Sequence, residues 1–426
     1  MKIMVISKYP PIEGGVSASN YWTCRILAEA GHEVHVVTNA SEVEPQYRMW
    51  LQDEDEAILR QDFSRDGGGR VFVHNTERFT RSLYIPWANP YMTKLVGTAL
   101  SVARSHGCDL IYGHYLEPYG VAAALVASWL SLPYRVRHAG SDIGRLAFVS
   151  ELREVYREVL CRAERVITSG LRHRERLEKL GARPDSLFFD RIYSVNTDCF
   201  NPKAQPLDIQ AVAGQTEKWC DELEYPRPIR ERINRINRAE VDFSFPFVGV
   251  YGKIGETKGG FDLLAAFTNC HKANLVVMVN GRMPTFLQFL DQIEERGFAG
   301  RTIVLPFLPH WRVPSFIRAC RVICFLERKF PITFHTPTIP REVLACGVCL
   351  VCSREIADKL SFASNVADWK NMVVVDPEDH DHLGSVLQKL TEDESLARAI
   401  GYHGCNLSQM TENFATYRAT RIKLFT

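Results

Sequence analysis

Four short stretches of this chain set glycine beside charged or polar side chains in spacings that suit phosphate and sugar chemistry. In Tyr251-Gly252-Lys253-Ile254-Gly255-Glu256-Thr257-Lys258-Gly259-Gly260, two lysines stand five residues apart among glycines. Both ammonium groups can point at one diphosphate while the backbone closes over it and a helix, expected over 261–269, offers its free N–H groups. GxxxxGK[ST] is absent, so phosphoryl transfer of the P-loop type has no support. Lys8 to Ser17 carries the pair Gly14-Gly15, which lets a ligand approach the backbone before a helix expected to begin near Val16, with Ser17 close to its N-cap. In Arg137-His138-Ala139-Gly140-Ser141-Asp142 a histidine and a carboxylate follow a strand-like run, a position for polar work in a cleft. Pro340 to Gly347 places Glu342 near a helix start, where it can accept two hydroxyls of a vicinal diol or simply stabilise the helix dipole. His114, in Tyr112-Gly113-His114-Tyr115, reads equally as a packing residue beneath a site.

These loops need strands to hold them. Short apolar runs recur at 3–7, 33–38, 71–74, 109–112, 134–138 and 166–169, separated by helix-length segments. The rhythm restarts at 247–251, 274–280, 302–305, 321–325, 348–353 and 372–375. Fully apolar strands cannot face water on either side, so the pattern predicts parallel sheets with helices on both faces. Ligands then sit beyond the carboxyl ends of the strands. The expected organisation is an N-terminal Rossmann-like domain over 1–201, a linker with an insertion over 202–245, a second Rossmann-like domain over 246–400, and a helical tail over 401–426 that could dock back on the first domain. The insertion holds Arg227, Arg230, Arg232, Arg235 and Arg238 at spacings of two to three, which spread around a helix predicted over 228–239; a solvated helix and a partner contact both fit.

The chain has 426 residues, 46% hydrophobic and 24% charged, with 51 Lys+Arg against 50 Asp+Glu. That composition excludes disorder, coiled coil and collagen, and it argues against a nucleic-acid binder working by bulk charge. No apolar run is long enough to span a bilayer and the first segment lacks a leader pattern, so a cytoplasmic location is expected. The twelve cysteines are scattered, and Cys349-Leu-Val-Cys352 reads as a buried strand, not a redox or zinc pair. Asp53-Glu54-Asp55 has a DxD spacing but lies in a polar stretch away from any strand end, so it reads as a solvated face and no metal site is expected.

Taken in order, the four loops resemble the retaining glycosyltransferases of family 4, and the likeness covers nearly the whole chain. Gly14-Gly15 looks like that family's glycine loop, "AGHEVHVVT" like its second strand, and "DLIYGHYLEPYG" like its strand ending in histidine. His138 falls at the family's active-site histidine, and "IYSVNTDCFNP" resembles the segment leading into its linker, with Thr197 where glycine is usual. "GKIGETKGG" is similar to the Gly-Arg…Lys-Gly diphosphate loop, with Lys253 in place of arginine, so charge is kept but the bidentate fork is lost. "REVLACG" is similar to the Glu-Ala-Met-Ala-Cys-Gly segment.

The resemblance implies an α/β GT-B fold, with two doubly wound domains facing across a cleft. It implies a nucleotide diphosphate-sugar donor, its ribose on Glu342 and its diphosphate among Gly14, Gly15, Lys253 and Lys258, with His138 and Asp142 orienting the sugar. Transfer would proceed with retention and without a metal or other cofactor. The family's second glutamate, eight positions before Glu342, is here Phe334, which cannot accept a hydrogen bond; His335 and Thr336 are the nearest polar substitutes for the donor sugar, and Glu327 is a further one. That departure keeps two rivals in view: a GT-B-type epimerase or pseudo-glycosyltransferase, separated by product linkage, and a non-catalytic nucleotide-sugar-binding protein, separated by turnover. The acceptor, whether small molecule, lipid-linked or polymer, would enter over the first domain, where residues 135–183 hold twelve Arg/Lys against seven Asp/Glu. An anionic acceptor, a peripheral membrane contact and solvated helices with i,i+4 ion pairs all fit that excess.

Overall fold

The computed structural model describes residues 1–78, 90–190, 194–331 and 337–426. The chain forms two compact units, one of Met1–Glu44, Leu51–Tyr193 and Ala415–Thr426, the other of Pro45–Trp50 and Ser194–Phe414. The first unit is built on a parallel sheet of β1 (Lys2–Ser7), β2 (Glu33–Thr38), β3 (Val71–Asn75), β4 (Leu110–His114), β5 (Tyr134–Arg137), β6 (Arg165–Thr168) and β7 (Leu187–Phe189). Their order is β3-β2-β1-β4-β5-β6-β7. β1 buries every residue after Lys2 because helices cover both faces. On one face Met4, Ile6 and Val37 pack with Leu95, Ala99 and Val126 from the helices Pro90–His106 and Val121–Leu130. The strand order reverses between β1 and β4, with Ser7 opposite His114, so the loops leaving these two strands part and open a crevice.

The second unit repeats the plan with β8 (Phe247–Lys253), β9 (Asn274–Asn280), β10 (Thr302–Val304), β11 (Val322–Phe325), β12 (Cys349–Ser353) and β13 (Val373–Val375), ordered β10-β9-β8-β11-β12-β13. Its crevice lies between β8 and β11. Cys349 and Cys352 are buried in β12, and all twelve cysteines are free thiols. β7 escapes a periodicity reading because it is a three-residue, half-buried edge strand.

The compact units divide the chain at other points than the expected boundaries. Residues 202–245, expected as a linker with an insertion, group with the second unit. The helix Arg227–Arg238 buries Ile229, Ile233 and Ile236, on the order of 5–9 kcal/mol of apolar transfer. Its Asn237 amide donates to the Val304 carbonyl at 2.8 Å and accepts the Val304 N–H at 2.8 Å, covering the sheet edge at β10. Its arginines are paired, Arg235 with Glu294 at 2.6 Å and Arg227 with Glu231 at 2.7 Å among them, so they are not held in reserve for a partner. Within 401–426, the helix Glu394–Thr411 stays with the second unit, and only Ala415–Thr426 belongs to the first. There Phe425 meets the Tyr112 ring edge-on at 5.0 Å and the Arg135 guanidinium donates to the Leu424 carbonyl. Among the described residues no helix is long and apolar enough to cross a membrane.

Candidate active site

In the second unit the loop leaving β8 lies at the crevice, where the strand order turns. The Ile254 N–H donates to the Asn280 carbonyl at 2.7 Å, the Lys258 N–H to Gly255 at 3.0 Å, and the Arg328 N–H to Thr257 at 2.9 Å. These bonds hold the loop onto the end of β9 and onto the segment after β11. Gly259 ends it at φ +73°, where a Cβ would collide with the Leu326 backbone, so glycine is required. Gly259 also caps the helix Gly260–Phe267. Lys258 Nζ donates to Glu327 Oε2 and lies 3.8 Å from the centre of the Phe330 ring. Burial pushes the Glu327 carboxyl up and the Lys258 ammonium down, while their mutual attraction opposes both shifts. Lys253 is exposed, its Nζ 5.9 Å from the centre of the Tyr47 ring.

Glu342 lies in the helix Ile339–Ala345 and is 3% exposed. One carboxylate oxygen accepts from Tyr251 Oη at 2.7 Å and the other pairs with His310 Nε2 at 2.9 Å. Burial alone would raise its pKa, but the His310 charge and the hydrogen bonds outweigh burial and hold the carboxyl below its usual range. His310 carries the trio toward the surface, with its side chain 18% exposed.

In the first unit Gly14, at φ +105°, caps the helix Gly15–Glu29, which starts one residue earlier than expected and leaves Ser17 inside it. A Cβ on Gly14 or Gly15 would meet nothing within 4 Å, so the helix N-terminus faces open space, as an anion site requires. Asn20 ties this loop down: its amide donates to the Val16 carbonyl at 2.9 Å, and its Oδ1 lies 3.1 Å from His114 Nδ1. His114 is 4% exposed and serves as packing beneath the crevice.

His138, just past β5, is buried. Its Nε2 bonds Thr168 Oγ1 at 2.8 Å, its ring meets His173 edge-on at 5.1 Å, and its Nδ1 has no partner among the described residues. Burial, helped by His173 and Arg137, brings its pKa down to about 3, so the imidazole is neutral. Asp142 is fully buried and accepts the N–H groups of Ala139 at 3.0 Å, Leu116 at 3.1 Å and Ile143 at 2.9 Å.

Residues 234–406 match the family model described as glycosyl transferases group 1, and residues 14–189 match the glycosyl transferase 4-like domain. The chain is a family 4-like glycosyltransferase. The glycosyltransferase is similar over its full length to solved structures, which show the GT-B fold. Sucrose-phosphate synthase from Thermosynechococcus elongatus is 16% identical with a TM-score of 0.61, over 100% of this chain and 98% of that one. Anabaena HepE in complex with UDP and glucose is 15% identical with a TM-score of 0.62, over 100% and 99%. WaaG, a glycosyltransferase involved in lipopolysaccharide biosynthesis, is 12% identical with a TM-score of 0.59, over 100% of both chains. No curated protein matches the chain by sequence.

Against the expectations, the glycosyltransferase places three residues differently. Asp142 has its oxygens committed to backbone N–H groups, which makes it a positioning residue that fixes the loop after His138, not a sugar contact. Glu342 is buried, with Tyr251 Oη on one oxygen, His310 Nε2 on the other and a further hydrogen bond from the Thr338 side chain, so a diol would reach it only alongside these groups. Glu327 is the buried partner of Lys258. His335 and Thr336, with Phe334, lie outside the described residues. His310 was missed; it lies in the loop between β10 and the helix Val313–Ala319, well past the strand end, so it is less directly marked than His138, which immediately follows β5. Among the described residues no group of three His, Cys, Asp or Glu is arranged to hold a metal ion; Asp53 and Asp55 open the helix Asp53–Leu59, where Asp55 is buried and accepts the Gln52 N–H at 3.0 Å.

Buried His138 and half-buried His74 are expected to make this glycosyltransferase acid-sensitive. An unfolded histidine titrates near about 6.5, above the value of about 3 for His138, so neutral burial contributes stability that is full above the unfolded value and is lost as pH falls toward the folded one. His74, brought down to about 4, acts in the same sense. The unfolding free energy is expected to fall between about pH 6.5 and pH 4 by up to about 1.36 kcal/mol per pH unit for each such histidine. Urea titrations across that range should show a shallower pH slope for His138→Gln; an unchanged slope would contradict its neutral burial.

Proposed function

We propose that the chain transfers a sugar from a nucleoside diphosphate-sugar to an acceptor hydroxyl, with retention of anomeric configuration and without a bound metal ion. The observation that carries this reading is the loop Lys253–Gly259, which sets two lysines at the β8/β11 crevice immediately before a helix N-terminus. In the reaction the bond between the anomeric carbon and the diphosphate oxygen breaks and its electron pair stays on the diphosphate. The acceptor oxygen bonds the same face of the sugar, and its proton passes to the departing diphosphate oxygen. Negative charge grows on the diphosphate, so fixed cations aimed at it lower the barrier without reorganising. Lys258 and Lys253 supply that charge in the second unit; taken by itself, the first unit has a helix N-terminus opened by Gly14-Gly15 that suits an anion, and an unpartnered Nδ1 on neutral His138 that suits a sugar hydroxyl.

HepE structures hold UDP-glucose and UDP, which makes uracil the first base to try. The test is a melting-temperature panel of UDP-, GDP-, ADP- and dTDP-sugars without added metal, since a ligand that binds only the native state stabilises it by about 2.7 kcal/mol at about 100 times Kd. One nucleotide series is expected to raise the melting temperature, with no further rise on adding magnesium. The anomeric configuration of the product, read by NMR, then checks retention. A folded protein that no nucleotide-sugar stabilises would overturn the donor reading.

A further inference from the structure

The carboxyl edge of the first sheet carries exposed apolar side chains on two neighbouring segments that also bear exposed arginines. The segment after β5 runs through Asp142 to Phe148 and Val149, which are 68% and 47% exposed. The segment after β6 presents Leu171, 54% exposed. These side chains come from the loops beside His138 and Thr168, at the same edge of the same sheet. The two segments meet: the Arg176 guanidinium lies 5.5 Å from the centre of the Phe148 ring. Arg145, Arg153 and Arg174 are exposed around them, and neither Arg145 nor Arg153 forms an ion pair among the described residues. Of the nearby carboxylates, Glu154 is taken by Arg157, Glu178 by Arg174 and Glu175 by Lys179, while Glu151 accepts the Ser150 hydroxyl at 2.7 Å and keeps its charge beside the arginines.

An aromatic ring and two aliphatic side chains held in water gain little there, and they gain most where apolar groups lie directly beneath anionic ones. That is the cross-section of an anionic bilayer: arginines at the headgroups, Phe148, Val149 and Leu171 just below. A soluble polyanion would use the arginines and leave the apolar side chains wet. We propose that this edge docks on an anionic membrane surface, and that the acceptor is held in that membrane. The inference deepens the transferase reading and rests on it, because it places the docking face beside the edge that bears His138.

The experiment is co-sedimentation of the full chain with vesicles of phosphatidylcholine alone or mixed with phosphatidylglycerol, in low and high salt, with polyglutamate as a soluble polyanion. The nucleotide-sugar melting shift is measured on the same preparations. Sedimentation with the mixed vesicles only, weakened by salt, is the expected result. An arginine near an anionic surface is worth about 1 kcal/mol, or about fivefold. Arg145→Glu with Arg153→Glu should therefore weaken partitioning roughly 25-fold or more. Phe148→Ser with Leu171→Ser should weaken it while leaving the nucleotide shift intact. No sedimentation of a folded protein that still shows its nucleotide shift would overturn the membrane inference and leave the donor reading standing. Binding to polyglutamate but not to vesicles, or vesicle binding indifferent to both variants, would overturn it as well. Loss of the nucleotide shift in the wild type would strike the donor reading instead.

Discussion

Lys258→Ala is expected to lower turnover by about 10²–10³-fold, corresponding to about 2.7–4 kcal/mol, the effect of removing one preorganised donor from a developing negative charge. Two separate effects are combined in that variant. Lys258 is also the cation facing Glu327, whose side chain is 1% exposed, and removing it takes the bonded cation away from a buried carboxylate. Breaking a buried pair from one side costs about 3–5 kcal/mol, so the single variant should unfold earlier as well as turn over more slowly. Lys258→Ala/Glu327→Gln separates them. With both charges gone, stability should return most of the way while turnover and the nucleotide shift stay lost. Lys258→Arg should keep the charge, but it changes a compact ammonium over the Phe330 ring into a planar fork, so its activity should fall between the two. Wild-type turnover in a folded Lys258→Ala protein would remove this lysine from the diphosphate site.

Asp190→Ala should be among the most destabilising single changes in the first unit. Asp190 is 3% exposed and accepts from Arg137 at 2.6 Å and Arg421 at 2.8 Å. Arg421, in the final helix Phe414–Phe425, is itself 2% exposed and lies 4.5 Å from the centre of the Tyr417 ring. Deleting the carboxylate strands two guanidinium groups in a low-dielectric interior, for which about 3–5 kcal/mol is the expected loss. Arg421→Met should cost less, because Asp190 would keep Arg137 and the methionine would refill the volume. Urea midpoints for the two variants give the order directly, and an Arg421→Met protein less stable than Asp190→Ala would contradict this reading of the network. Since Arg137 immediately precedes His138, Asp190→Ala should also slow turnover, whereas a purely structural anchor far from the site would change stability alone.

Much of this architecture could be read from residue order because each strand carries its own signal. A run such as Asn274–Asn280 is buried at all seven positions, and a segment apolar on both faces has few places to go except the middle of a parallel sheet covered by helices. Loops after such strands are candidate sites, and Lys253, Lys258, Gly14, Gly15 and His138 lie in or at the ends of such loops. The signal fails for elements whose burial is decided elsewhere. The helix Arg227–Arg238 looked solvated because its arginines dominate the pattern, yet Ile229, Ile233 and Ile236 recur at helical spacing on the face that covers β10.

By itself the sequence determined the α/β class, twelve of the strands, and the loops that leave their ends, since these follow from local periodicity and from where glycine and charge interrupt it. The tertiary structure decided what those residues touch. Lys258 meets Glu327 across 69 residues, Glu342 meets Tyr251 across 91 and His310 across 32, and Arg135 meets Leu424 across 289. No local pattern encodes such pairs. They arise because parallel crossovers bring the ends of distant strands side by side, and because a charge taken out of water is stable only beside whichever partner that packing delivers.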